Sequence, residues 1–138
     1  MILLLADINI QGHIEIMANR MQAEPWIGFW NHLQLSCVSF AVLGLCPADS
    51  DAMIWNRCQE QQAFLLTNNR NDDGPDSLET TIRTCNTPQS LPVFTIGDAE
   101  RLKNDQQYSD RVIWALLEYL LEIDNLSGTG RLFLPGKD

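Results

Sequence analysis

The sequence predicts an α/β domain, a three-layer α/β/α arrangement around a mostly parallel sheet of four to five strands. Short apolar runs rich in Leu, Ile, Val and Phe recur along the chain, and amphipathic stretches with helical spacing separate them. That alternation builds parallel sheets covered on both faces. Two of the runs, Ile2 to Ala6 and Ala63 to Thr67, are continuously apolar or nearly so, as strands buried on both faces are. Polar residues follow both, and ligands of such sheets collect outside the carboxyl ends of the strands.

The elements follow in order. Ile2 to Ala6 is the first strand, and Asp7 stands at its carboxyl end. Ile10, Ile14, Met17 and Met21 recur at helical spacing, and Trp26, Phe29, Trp30 and Leu33 extend a second helical stripe past Pro25. Leu35 to Leu43 is apolar and β-branched enough to be the second strand. Pro47-Ala48-Asp49-Ser50 then enters a helix capped by Asp49 or Ser50 and reaching Gln62. Ala63 to Thr67 is the third strand. Beyond an Asn-rich loop, Asp76 with Glu79 three residues later forms a capping-box pattern that starts a helix reaching Thr84. Leu91 to Ile96 is the fourth strand, closed by Gly97-Asp98, with Asp98 the expected cap of the next helix. Ser109 to Ile123 places Ile113, Leu116, Leu117 and Leu120 on one helical face. Ser127-Gly128-Thr129-Gly130 turns the chain into a final edge strand, Arg131 to Leu134.

With 138 residues, 45% of them hydrophobic, the chain is expected to fold as one domain over residues 1–138. It contains no linker-like stretch and no internal repeat. No apolar run approaches the roughly 20 residues that cross a bilayer. The opening segment lacks a basic lead and meets Asp7 at once, so a cytoplasmic protein without membrane contact is expected. Cys37, Cys46, Cys58 and Cys85 form no C-x-x-C pair and are expected to be reduced core thiols. His13 and His32 lack ligand-like spacing, which argues against zinc. The net charge of −9 counts against a protein that coats nucleic acid by neutralising phosphates. Any such contact must be local, through bound metal and a few arginines such as Arg57, Arg70, Arg83 and Arg101.

Asp51 lies in the first turn of its helix, and that helix leads into the strand ending at Thr67. Asp7 and Asp51 can therefore face the same sheet edge. Two converging carboxylates repel each other unless a cation lies between them. Oxygen ligands favour Mg²⁺ or Mn²⁺, which could activate a water for phosphodiester attack. The plainer role for Asp51 is a carboxylate favourably placed near a helix N-terminus.

Leu3-Leu4-Leu5-Ala6-Asp7, then Asp51-Ala52-Met53-Ile54-Trp55, then Phe64-Leu65-Leu66-Thr67-Asn68-Asn69-Arg70-Asn71 together resemble the PIN and PIN-like domains. The match also resembles the compact group whose acidic helix follows a strand and a short Gly-containing loop, here Ser39 to Asp51. The resemblance spans residues 1–100 in order and spacing. It implies that Asp7 and Asp51 are metal ligands at a catalytic centre, that Thr67 braces the site, and that Asn69 stands where the family has Asp or Asn. Thr67 and Arg70 would meet substrate. A further family acid has only Glu15 and Glu24 as positional counterparts, and the amides Asn69 and Asn71 replace acids of the compact group. Asp72 and Asp73 could supply the missing charge or form a solvated turn, and Arg70 could meet a phosphate or pair with them.

The implied function is a Mg²⁺- or Mn²⁺-dependent ribonuclease of the toxin type, acting on RNA and neutralised by an antitoxin-like protein. A homodimer could use Trp26, Phe29 and Trp30, although core packing accounts for those rings more simply. Two other readings fit parts of the pattern. One is a catalytically silent PIN-like module that binds protein or nucleic acid. The other is a receiver-like signalling domain, which the isolation of Asp7 disfavours. Asp98 and His13 are minor candidates for the same sheet edge.

Overall fold

Five strands form one sheet: β1 (Ile2–Ala6), β2 (Leu35–Val38), β3 (Ala63–Thr67), β4 (Val93–Ile96) and β5 (Arg131–Leu134). The computed structural model describes residues 1–69, 74 and 77–136. All pairings are parallel, in the order β2-β1-β3-β4-β5. The edge strand expected at Arg131 to Leu134 is present and pairs with β4.

Among the described residues the connections carry six α-helices, α1 (Gln11–Met21), α2 (Ile27–Leu33), α3 (Asp51–Gln61), α4 (Leu78–Cys85), α5 (Arg101–Asn104) and α6 (Gln106–Leu121). Strand side chains alternate between the two sheet faces. Leu4, Phe64, Leu66, Phe94 and Ile96 pack with Ile14, Met17 and Met21 of α1 and with Val112, Ile113, Leu116, Leu117 and Leu120 of α6. The apolar face predicted for the last long helix is thus buried as expected. Leu5, Ala63, Leu65 and Val93 point the other way, onto Ile54, Trp55 and Cys58 of α3 and Leu78 and Ile82 of α4. The result is a three-layer α/β/α fold.

Several boundaries differ from the sequence expectation, each for a physical reason. The second strand stops at Val38, and Phe40 to Gly44 turns, with Leu43 and Leu45 both donating to the Phe40 carbonyl and Gly44 at φ +71°. Phe40, Leu43 and Leu45 are apolar because they cover α3, not because they continue the ladder. Ser77, not Asp76, caps α4 through a hydrogen bond from the Thr80 N–H. Asp76 lies outside the described residues. Asp98 offers no side-chain cap; it is exposed, and its carbonyl accepts from the Arg101 N–H. The cap that does form nearby is Asp105, on α6.

Of the four cysteines only Cys58 is buried; Cys37, Cys46 and Cys85 are exposed, which corrects the expectation of four core thiols. Burial pushes the Cys58 thiol up to about 12 and raises that of Cys37 as well. Because the thiolate is the reactive form, a disulfide-exchange reagent at mildly alkaline pH should label Cys46 and Cys85 fast, Cys37 more slowly, and Cys58 only on unfolding. Rapid labelling of all four in the folded chain would contradict this burial pattern.

Candidate functional site

The chain passes from β1 to β2 in one direction and then crosses back to place β3 on the other side of β1. The carboxyl ends of β1 and β3 therefore flank the point where the strand order reverses, the place where open α/β sheets leave a crevice for ligands. Asp7 follows β1, and Thr67 ends β3.

Asp7 extends the β1 ladder by one residue, its N–H donating to the Leu66 carbonyl at 2.9 Å. Alternation along Leu3, Leu5 and Asp7 turns its side chain toward the α3 and α4 face. Thr67, 0% exposed, donates from Oγ1 to Asp7 Oδ2 at 2.9 Å. The same Oγ1 accepts the Asn69 N–H at 2.9 Å. A hydroxyl has one donor and two acceptor positions, so Thr67 can close its own turn and orient Asp7 at once. This is the physical content of the Thr-x-Asn spacing.

Asp51 arrives from the opposite side. Ser50 caps α3 by accepting the Met53 N–H, which fixes Asp51 as the first helical residue. Asp51 Oδ2 accepts from Asn69 Nδ2 at 3.0 Å and from the Leu78 N–H, the first of α4, at 3.1 Å. Asp51 thus sits between the N-termini of two helices, and both favour negative charge there. Asp7, Asp51, Thr67 and Asn69 line one pocket with Ile54, Leu65 and Leu78, and its volume is about 10 Å³. That is about the space of one water-sized probe.

Among the described residues, Oδ1 of Asp7 and Oδ1 of Asp51 accept no hydrogen bond from protein. Two carboxylates with one open oxygen each suit a hard divalent ion that keeps much of its water shell, as Mg²⁺ usually does. No cluster of three or more His, Cys, Asp or Glu side chains able to hold a metal occurs among the described residues. Asp7 and Asp51 are the carboxylates that a cation at this pocket would meet.

Comparison with protein-family models, curated proteins and solved structures finds no match. The resemblance to PIN-like domains accordingly rests on the motif residues alone. Among the described residues, no helix is long and apolar enough to cross a membrane.

The structure brings Asp7, Asp51, Thr67 and Asn69 together, while Arg70, Asp72 and Asp73 lie outside the described residues. Other candidates lie elsewhere. Glu15 lines a cavity of about 610 Å³ beside α1 and β2, and Glu24 lines a groove beside α2; neither lines the pocket of Asp7. His13 pairs with Glu100 at 2.8 Å, and Arg101 pairs with Asp105. Arg57 reaches the Leu43 carbonyl. Trp26 is buried and meets Trp114 edge-on, so that ring belongs to the core. Arg131 and Glu79, which adjoin the site, were not among the sequence candidates. The sequence signal for Arg131 is a cation opening an apolar edge strand, and Glu79 carried only its capping-box spacing.

Proposed function

We propose that this chain is a divalent-cation-dependent phosphodiesterase of the PIN-like type, with single-stranded RNA as its substrate. The observation that carries the reading is the convergence of Asp7 and Asp51 on one pocket at the sheet's switch point, each with one oxygen that accepts no hydrogen bond among the described residues. Asp7 and Asp51 would hold the cation, Mg²⁺ or Mn²⁺. Thr67 orients Asp7, and Asn69 orients Asp51. When bound, such an ion supplies Lewis-acid activation of water and offsets the charge of a phosphodiester. It also gives a polyanion a point of attachment on a chain whose net charge is −9. In the toxin-type form of this reading, an antitoxin-like protein is the neutralising partner.

One observation favours a catalytically silent module instead. Asn69 donates its amide to Asp51, and with the Leu78 N–H it already satisfies one oxygen of that carboxylate without a cation. Incubation of single-stranded RNA with Mn²⁺ separates the two. The expected result is cleavage by the wild type and only background with Asp7→Asn. Equal background in both, with no difference in Mn²⁺ heats by calorimetry, would remove the enzyme and leave the binding module.

A further inference from the structure

We infer that Arg131 is the positioning residue of this site: it fixes the Asn69 peptide so that the Asn69 side chain meets Asp51. The effect on cation binding rests on the function proposed above; the positioning itself does not.

Arg131 opens β5 in register with Val93 and lies on the sheet face that carries Thr67 and Thr95. Its side chain is 8% exposed. Nη1 donates to the Asn69 carbonyl at 2.8 Å and to Thr95 Oγ1 at 2.6 Å, and Nη2 donates to Glu79 Oε2 at 2.8 Å. Among the described residues, Thr67 holds the Asn69 N–H, Asp51 its side-chain amide and Arg131 its carbonyl. Asn69 lies beyond the end of β3, outside any regular element, so these bonds take the place of a ladder.

Stability alone does not account for a guanidinium here. Val93, its partner in register, belongs to the apolar cluster of this face, and replacing a buried ion pair by apolar side chains is often neutral or stabilising. The network is also incomplete, because Arg131 Nε is buried without a partner among the described residues. Pairing with Glu79 uses only Nη2, whereas Nη1 is spent on ordering Asn69 and Thr95. A lysine would keep the charge but, as a compact point charge, could not reproduce the rigid fork.

The test uses the full chain with Arg131→Lys, with Glu79→Gln, and with the double variant Arg131→Met/Glu79→Gln, which leaves no unpaired charge should the lysine variant fold poorly. Solvent exchange of the Asn69 side-chain amide protons, followed by NMR without metal, reads the positioning directly. Exchange should accelerate at least tenfold in both Arg131 variants and stay at the wild-type rate in Glu79→Gln, which keeps the Nη1 bonds. Mn²⁺ titration should show affinity weakened about 10- to 100-fold in the Arg131 variants, the usual effect of removing support behind a ligand. Asn69 exchange unchanged in a folded Arg131 variant would overturn the inference. Faster exchange in a protein whose wild type binds no Mn²⁺ would uphold the positioning and sink only the cation reading.

Discussion

Phe94→Ala is expected to lower the unfolding free energy by about 3–5 kcal/mol, the range for truncating a fully buried aromatic. Phe94 is 0% exposed at the middle of β4. Its ring lies 5.6 Å from that of Phe64 and 6.0 Å from that of Tyr119. The side chain therefore couples two neighbouring strands to α6. A rigid β-sheet on one side and a packed helix on the other leave little room for collapse, so much of the cavity should persist. With a slope of about 2 kcal/mol per molar urea, the midpoint should fall by about 2 M at unchanged slope. Val42, 71% exposed in the loop after β2, provides the contrast; its replacement by Ala should cost about 1 kcal/mol or less. A Phe94→Ala midpoint within about 0.5 M of wild type would show that this layer is not the core.

The core was legible because its signals are local. The run Ala63 to Thr67 has the right length, composition and punctuation for a buried strand, and β3 occupies those residues. The stripe Ile113, Leu116, Leu117 and Leu120 can be buried only on a helix, and it is. Asp7 and Asp51 were legible for a related reason: each sits where a strand ends or a helix begins, and the topology carries both to one edge. What escaped depends on partners distant in sequence. Phe40, Leu43 and Leu45 look like strand residues because burial in a loop and burial in a sheet select the same side chains. Ser77 and Asp76 are both good caps, and only the path of the chain decides between them. Arg131 meets Asn69 across 62 positions and Glu79 across 52, a juxtaposition set by β5 joining β4 and by no periodicity in the chain.

Asp51 joins both kinds of information, and its replacement by Ala and by Asn should behave differently. Asp51→Ala removes the acceptor of the Asn69 amide and of the first N–H of α4. Hydrogen bonds to a charged group contribute about 1.5–3 kcal/mol each, and partial exposure lets water replace some of that, so a loss of about 2–3 kcal/mol is expected. Asp51→Asn is a different case, because both bonds end on the same oxygen, Oδ2. An amide turned to place its carbonyl oxygen there keeps both acceptor contacts, and its NH₂ takes the position of the open Oδ1. The asparagine variant, which keeps the contacts and loses the charge, should accordingly unfold only about 1–2 kcal/mol below the wild type. It nonetheless replaces a carboxylate by a neutral group that presents donors to the pocket, so Mn²⁺ heats and RNA cleavage should fall to the Asp7→Asn level. Urea unfolding and calorimetry on the same two proteins decide the matter. If Asp51→Asn retains full cation binding, Asp51 is an anchor joining α3 to α4 and not a ligand, and the proposed enzyme loses one of its two carboxylates.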